Sequence, residues 1–305
     1  MTKVRPVFAG DTVHIQRRTV DGRFFLVPKP ETLALVRYAY GLAAERFGLA
    51  LHALCVMSTH THVIATDKDG RHPEFTAFAH RLIALGLKRI YGIDETVWRA
   101  GGASVQRLVE APAIIEALAY VRVNPVAAGC VEDERAYPGV FGVFGVDEEA
   151  PLDEAAEIIR RPSCFSPKSK LPAATTFRLR APKSLLDELG VEGAASAIAS
   201  AVARHRARAH EALREEGRSF LGMRKVLSAS VWARAEQPKR APFNPTFKGV
   251  VASAIRRASE TLHAFRRAYA VALGEYCAGS RDVLFPPGTY LMERRYGCSV
   301  ALENV

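Results

Sequence analysis

The first 135 residues alternate between two hydrophobic patterns, and the order of these patterns limits the possible folds more than any other feature. A strand pattern places apolar side chains at every second position, whereas a helix pattern repeats them every three to four residues. Strand patterns cover 11–18, 23–27, 50–57, 60–66 and 103–109, while helix patterns begin at Pro30, cover 73–91 and run from Ala111 to about Val123. The order predicts an α+β fold of the ferredoxin-like split βαβ type, an antiparallel sheet with helices on one face.

Turn and proline signals divide the chain into three parts. Residues 1–145 carry the alternating patterns and are predicted to form one domain, in which Asn124-Pro125 ends or kinks the third helix. Residues 146–183 contain an acidic run and several prolines, which predicts a linker. Residues 184–305 are predicted to form a basic, mainly helical region, with long helices over 184–216 and 247–277.

The positive charge is concentrated in the second half of the chain. The net charge is +10, yet residues 1–160 hold 18 Lys and Arg against 20 Asp and Glu, whereas residues 161–305 hold 24 against 12. A basic half beside a near-neutral half predicts contact with a polyanion, most often nucleic acid. The alternative is a solvated basic face that has no partner.

Composition excludes several protein classes. An apolar share of 49% is typical of a globular protein and excludes a disordered tail or a fibre. No apolar run is long enough for a membrane span, and the first residues lack the apolar core of a signal peptide. The five cysteines are scattered without a CxxC pair, so a disulfide framework is not expected. Together these features predict a cytoplasmic protein with no membrane partner.

Two histidines, His60 and His62, stand at the start of a predicted strand. Side chains at positions i and i+2 of a strand share one face, so both imidazoles point the same way. Two imidazoles on one face are a common beginning of a divalent metal site. The alternative is a pair of exposed strand histidines with no ligand.

Two sequence blocks resemble a known family. Residues 56–64, VMSTHTHVI, resemble the HUH block VMPNHVHLL of single-tyrosine HUH transposases, and residues 120–131, YVRVNPVAAGCV, resemble the YIxxNPVRAGLV block of REP-associated tyrosine transposases. The opening strand at 13–18 is similar to the family's YHVxxR start. The resemblance covers roughly residues 5–145, under half of the chain.

The resemblance implies a DNA-cleaving and strand-transferring enzyme. Its nucleophile would be the tyrosine five residues before the proline, which is Tyr120 here. The implied partner is single-stranded DNA with hairpin-forming inverted repeats, so the protein would associate with the nucleoid when it is bound to DNA. Related enzymes include both homodimers and monomers, and either assembly is compatible with the sequence.

The residues are consistent with this chemistry on their own. Tyr120 and Asn124 are four residues apart on a predicted helix and therefore project from one face. Asn124, His60 and His62 together could hold Mg²⁺ or Mn²⁺, which would act as a Lewis acid on a phosphodiester that Tyr120 attacks to form a phosphotyrosine. The alternatives are a core aromatic role for Tyr120 and a turn role for Asn124.

The match to the family departs at several positions. Ser58-Thr59 replaces Pro-Asn before the first histidine, and Thr61 replaces an apolar residue. None of these changes removes a ligand or the nucleophile. They leave open a domesticated, non-catalytic protein that binds hairpin DNA, and a metal-dependent hydrolase that uses water is a third possibility.

Nine arginines are predicted to contact DNA; for those in residues 161–305 the reason is the net charge of +12 there, which leaves most of them without an acidic partner. The alternative is that the helical arginines pair with Glu211, Glu215 and Glu260. The predicted DNA contacts are Arg17, Arg18, Arg122, Arg204, Arg208, Arg256, Arg257, Arg266 and Arg267.

Overall fold

The computed structural model describes residues 4–142, 155–235 and 245–302, which form a large sheet, a small second sheet and seven α-helices. The strands are β1 (Asp11–Arg18), β2 (Leu49–Met57), β3 (His60–Asp67), β4 (Ser104–Leu108), β5 (Val140–Gly142), β6 (Ala155–Arg160), β7 (Ala174–Leu179), β8 (Phe247–Lys248), β9 (Leu284–Phe285) and β10 (Ser299–Val300). The helices are α1 (Pro30–Phe47), α2 (His72–Tyr91), α3 (Ala111–Ala127), α4 (Lys183–Glu215), α5 (Met223–Ser228), α6 (Ala252–Cys277) and α7 (Leu291–Tyr296).

Four strands form the centre of the large sheet in the order β2-β3-β1-β4, and each neighbour is antiparallel. The β1–β3 register places Arg18 opposite His60, and the β1–β4 register places His14 opposite Gln106. The predicted α+β class is therefore confirmed, whereas the finer ferredoxin-like assignment remains a prediction. Register matters here because directly opposed residues share a face of the sheet.

Both edges of this sheet carry strands that the sequence did not predict. Strand β7 pairs in parallel with β2 at Leu51 and Leu179, and β8 pairs in parallel with β4 at Leu108 and Lys248. The sheet is therefore mixed: the β2–β7 and β4–β8 pairs are parallel, and the other pairs are antiparallel as expected. The segment 146–183, expected to be a linker, contributes β6 and β7; its residues 146–154 lie outside the described residues.

The missed strand β7 has an ordinary strand pattern, because Thr175, Phe177 and Leu179 alternate as buried residues. The prolines on both sides of it led to the linker prediction. Both prolines lie outside β7 and interrupt only the flanking chain, so the strand can pair with β6 on one side and β2 on the other.

The segment 23–27 was predicted to be a strand and is not one. Asp21 and Gly22 form the expected turn, with φ angles of 48° and 66°. The chain then makes a single bridge at Arg23 and continues irregularly. Its apolar residues pack in the core and do not pair with a neighbouring strand: Phe25, Leu26 and Val27 are fully buried.

Helices cover both faces of the sheet, although helices were expected on one face. The hydroxyl groups of Thr61 and Tyr40 of α1 share a hydrogen bond, with 2.9 Å between their oxygens. The next residue, His62, contacts Tyr120 of α3, with 5.4 Å between ring centroids. Because successive strand residues face opposite ways, α1 and α3 lie on opposite sides.

The C-terminal helices start close to their predicted bounds, with one correction. The helix predicted over 247–277 begins at Ala252, because Phe247 and Lys248 form β8 instead. Helix α4 packs along α3, and the buried carboxylate of Glu134 is bonded to Arg206 of α4. None of the helices in the described part of the chain has both the length and the apolar character that a membrane crossing requires.

Candidate functional site

Three histidines form a cluster on the face of the sheet that α3 covers. His60 and His62 begin β3 and have ring centroids 4.7 Å apart. His14 lies on β1, and its Nε2 is 2.9 Å from Nδ1 of His62. The sequence analysis gave His14 no role; its position in register with Ile64, diagonal to His62, makes it the third member.

Helix α3 brings Tyr120 and Asn124 against this cluster. The Tyr120 ring meets His62 almost perpendicularly, at 87°, and its centroid is 6.1 Å from that of His14. One turn later, Asn124 lies on the same side of the helix, and its side-chain amide acts on the pKa of both His60 and Tyr120. The structure thus brings the predicted nucleophile and the three predicted metal ligands into one group of side chains.

The local sequence explains how α3 extends past its proline. Pro125 was expected to end or kink the helix, yet the helix continues to Ala127. It ends in a Schellman motif: Gly129 is left-handed at φ 72°, its N–H bonds the Val126 carbonyl at 2.8 Å, and the Cys130 N–H bonds the Pro125 carbonyl at 2.9 Å. The NPV block, Asn124-Pro125-Val126, and the Gly129 that follows it therefore keep Asn124 inside the helix, where it faces the histidines.

Burial keeps the histidines neutral. It lowers the pKa of His60 to about 3, aided by the charge of Arg18, and lowers the pKa of His14 to about 4, aided by Lys248. The pKa of His62 also lies well below its ordinary value, again mainly through burial. Neutral imidazoles have a free lone pair, which is the form that binds a metal ion.

The donor atoms fit a divalent metal ion. Nε2 of His62 is buried and has no hydrogen-bond partner among the described residues, because His14 occupies Nδ1. Nδ1 of His60 is 2.8 Å from the Thr59 hydroxyl, which leaves Nε2 of His60 for a ligand. Two imidazoles and the amide oxygen of Asn124 suit Mn²⁺ or Mg²⁺, with further positions open to water or substrate.

Only two of the three proposed ligands, His60 and His62, belong to the residue types that bind metal ions most strongly. Across residues 4–142, 155–235 and 245–302, no group of three His, Cys, Asp or Glu side chains is arranged to hold a metal ion. His14 acts on His62 through a hydrogen bond, so it is placed as an outer partner that orients a ligand. A site with two histidines therefore depends on Asn124 and on substrate oxygens.

Two cations lie beside Tyr120. Burial raises the pKa of the Tyr120 phenol, and the charge of Arg18 opposes this shift. Lys248 of β8 has its Nζ 6.0 Å from the centre of the Tyr120 ring, and burial lowers the pKa of Lys248. Lys248 was not predicted, because no spacing rule links residue 248 to strand β4, with which it pairs.

The other predicted DNA contacts have different surroundings. Arg17 lies on the opposite face of the sheet, with its guanidinium 5.9 Å from the Trp98 ring centre. Arg122 is buried 3.5 Å from Glu134, Arg204 is 2.7 Å from Glu116, and Arg266 donates to the Val4 carbonyl. Of the nine, Arg18 is the one whose charge acts on Tyr120 and His60. The exposed members of the set are Arg204, Arg208, Arg256, Arg257 and Arg267.

Comparisons with known proteins give one likeness. No family model matches the chain, and no curated protein matches it. Among solved structures, the chain is similar to a REP-associated tyrosine transposase bound to a REP hairpin, with 17% identity and a TM-score of 0.40 over 46% of this chain and 82% of that one. A likeness of this degree establishes neither family nor activity, so the functional conclusion rests on the side chains.

Proposed function

We propose that this protein is a metal-dependent single-stranded DNA endonuclease and strand transferase that uses Tyr120 as its nucleophile. The observation that carries the proposal is the position of Tyr120: its ring stands against the buried His62, and the side chain of Asn124 acts on the pKa of both Tyr120 and His60. A phenol beside two neutral imidazoles and an amide is the arrangement that a tyrosine nuclease with a bound metal needs.

His60, His62 and Asn124 would hold the metal ion through Nε2 atoms and an amide oxygen. When bound, Mg²⁺ or Mn²⁺ would supply Lewis-acid polarisation of the scissile phosphate. His14 keeps the His62 ring in the orientation that leaves its Nε2 free. The NPV block of α3 keeps Asn124 and Tyr120 on one helix face, so ligand and nucleophile are positioned by the same turn.

Tyr120 would attack the phosphorus in line with the 3′ oxygen. The phenol gives its proton to solvent water, a bond forms between its oxygen and phosphorus, and the bond from phosphorus to the 3′ oxygen breaks. The 3′ oxygen takes up a proton and leaves as a hydroxyl, while the DNA stays attached through a 5′-phosphotyrosine. The reverse step with another 3′-hydroxyl rejoins a strand, because the covalent bond conserves the phosphodiester energy.

Positive charge near the phenol supports this chemistry. A buried tyrosine resists ionisation, since burial raises its pKa. Arg18 and Lys248 place charges beside the ring, where they favour the phenolate and the developing negative charge on phosphate oxygens. The site therefore combines a protonated resting phenol with groups that stabilise its reactive form.

The DNA substrate is proposed from charge and from the motif resemblance. Residues 161–305 carry twice as many basic as acidic residues, and exposed arginines lie on α4 and α6. Such helices suit contact with the phosphates of a hairpin stem, with cleavage in the adjoining single strand. We also propose that the protein forms a homodimer and associates with the nucleoid when it is bound to DNA.

A second candidate function is a non-catalytic reader of hairpin DNA. It is favoured by the burial of Tyr120, whose raised pKa keeps the phenol protonated in the free protein. This candidate predicts DNA binding that does not depend on Tyr120 and produces no covalent product.

A denaturing gel separates the two candidates. Labelled hairpin oligonucleotides from the DNA flanking the coding sequence are mixed with protein and Mn²⁺, Mg²⁺ or EDTA. The proposal predicts a metal-dependent, protease-sensitive covalent band for the native protein and its loss in Tyr120→Phe, whereas Tyr269→Phe on α6 keeps it. Tight binding without cleavage or adduct under any metal overturns the enzyme and favours the reader. Cleavage that persists in Tyr120→Phe indicates a hydrolase that uses water.

A further inference from the structure

Residues 230–235 return from the C-terminal region and dock on the turn that follows β1. The Phe24 N–H donates to the Ala233 carbonyl and the Ala235 N–H donates to the Gly22 carbonyl, both at 3.0 Å. The Arg23 guanidinium donates to the Trp232 carbonyl at 2.7 Å. These hydrogen bonds to residues 22–24 fix the backbone around Trp232 against the turn.

The indole of Trp232 is held in place and yet remains exposed. Phe25 contacts it at 89° with 5.7 Å between ring centroids, and the Arg23 guanidinium lies 5.9 Å from its ring centre. Nevertheless 44% of the residue is accessible to solvent. An immobilised, exposed aromatic ring is a surface that binds a flat apolar group without a large loss of side-chain entropy.

The turn under Trp232 is joined to the strand that carries the proposed metal ligands. At its start, the N–H and the hydroxyl of Thr19 both donate to the Thr59 carbonyl, at 2.8 and 3.0 Å. At its end, the Leu26 N–H donates to the Ser58 carbonyl at 3.0 Å. Ser58 and Thr59 directly precede His60, so the turn that holds Trp232 is hydrogen-bonded to the residues next to a proposed metal ligand.

The surrounding charge indicates what the ring binds. Arg23 covers part of the indole and is itself paired with Glu95 at 3.3 Å. Arg234, by contrast, is exposed two residues after Trp232, and Arg18 immediately precedes the turn. A flat aromatic ring among guanidinium groups matches an unpaired nucleobase, whose ring stacks while its phosphates meet the cations. Base stacking tolerates any sequence, so this contact suits a single strand more than a paired stem.

We propose that Trp232 is a stacking site for an unpaired base of single-stranded DNA next to the scissile phosphate. The inference rests on the proposed function for the identity of the substrate, but the binding itself needs neither cleavage nor metal. The ring would orient the single strand that leaves the hairpin as it approaches Tyr120.

The two tryptophans of the chain permit a direct test. Trp98 is buried at 8% exposure, so fluorescence quenching by an oligothymidylate in EDTA reports on Trp232. We expect saturable quenching in the native protein and none in Trp232→Phe. We also expect Trp232→Ala to weaken binding of a hairpin with a single-stranded extension by about 5- to 150-fold, with little change for the blunt hairpin.

Controls distinguish failure of this inference from failure of the proposed function. Tyr296→Ala removes another exposed aromatic ring and should leave both affinities unchanged. Absence of quenching, or an equal loss of affinity for both hairpins in Trp232→Ala, overturns the stacking site. A covalent adduct that forms at the native rate in Trp232→Ala leaves the nuclease intact while removing the stacking role. Conversely, saturable quenching in a protein that never cleaves DNA would support the stacking site and contradict the proposed nuclease.

Discussion

The imidazoles of His14 and His62 are joined across the β1–β3 ladder, with 2.9 Å between Nε2 and Nδ1. His14 is diagonal to His62 in the antiparallel register, because His14 faces Ile64 and His62 faces Gln16. This hydrogen bond occupies one nitrogen of His62 and leaves the other, Nε2, without a partner among the described residues. The pair therefore presents one oriented lone pair to the proposed metal.

Removing this hydrogen bond should weaken metal binding. Loss of an outer partner that orients a metal-bound histidine typically costs roughly 10- to 100-fold in affinity. We expect His14→Phe, which keeps a buried ring but no nitrogen, to weaken Mn²⁺ binding by about this factor in isothermal titration calorimetry. The same substitution at the exposed His263 should leave Mn²⁺ affinity unchanged. Native affinity in His14→Phe would show that His14 does not orient His62.

Lys248 should contribute to the rate of adduct formation. Its Nζ lies 6.0 Å from the Tyr120 ring centre, and Lys248 makes no ion pair with any residue that the structure describes. Removing one group that stabilises transition-state charge typically lowers a rate by roughly 10²-fold or more. We expect such a fall in Lys248→Met at saturating DNA and Mn²⁺, with partial recovery in Lys248→Arg.

The matched control for this experiment is Lys225→Met on α5, an exposed lysine that should leave the single-turnover rate unchanged. The rate is measured at saturating DNA so that it is separated from affinity. A native rate in Lys248→Met, with a change in DNA affinity alone, would make Lys248 a phosphate contact away from the reacting atoms.

The sequence was sufficient for much of the fold up to residue 131. Strand β1 has its predicted bounds, β2, β3 and α2 differ from theirs by one residue at one end, and β4 is one residue shorter at each end. These elements are long, strongly periodic and bounded by glycine turns, so local chemistry specifies them. The strand predicted over 23–27 was wrong, because β-forming residues can also fill a core without pairing with another strand.

The candidate site was predictable where its residues share an element. His60 and His62 share β3, and Tyr120 and Asn124 share α3, so a period of 2 or 3.6 places each pair on one face. Lys248 and the His14–His62 bond depend on strand pairing between distant parts of the chain. Local periodicity carries no information on that pairing, which is also why β7 and β8 were not anticipated.

Asp67 should stabilise the start of α2. Its carboxylate accepts hydrogen bonds from the N–H groups of Arg71 and His72, at 2.8 and 2.7 Å, and lies 2.9 Å from Nδ1 of His72. We expect Asp67→Asn to lower the free energy of unfolding by about 1–3 kcal/mol at neutral pH, measured in urea. Asp69→Asn, two residues away and exposed, should change it little.

The contribution of Asp67 should depend on pH in a defined direction. Burial alone raises the pKa of Asp67, but the hydrogen bonds from His72 and from the two N–H groups outweigh it and lower the pKa below 3.8. A lowered folded pKa means that the stabilisation is full above the unfolded pKa and is lost as pH falls through the folded pKa. The difference between native protein and Asp67→Asn should therefore shrink below about pH 4. A difference that stays constant there would contradict the assignment.

Gly86 should be required where α2 meets α1. A Cβ at this position would come closer to the Leu35 side chain than real Cβ atoms approach. We expect Gly86→Ala to destabilise the protein by about 1–3 kcal/mol in urea or thermal unfolding, because the buried Leu35 side chain must shift against its neighbours. Gly274→Ala, in α6 with nothing near the added Cβ, should be neutral or stabilising by up to about 1 kcal/mol. Equal effects of the two substitutions would contradict close helix packing at Gly86.

The most direct test of the central claim is to map the residue that carries the DNA. The covalent product is formed with Mn²⁺, digested with nuclease and protease, and analysed by tandem mass spectrometry. The account predicts a nucleotide linked through phosphate to the phenolic oxygen of Tyr120, on the peptide that also contains Asn124. A nucleotide on any other residue, or cleaved DNA with no modified peptide, would contradict it.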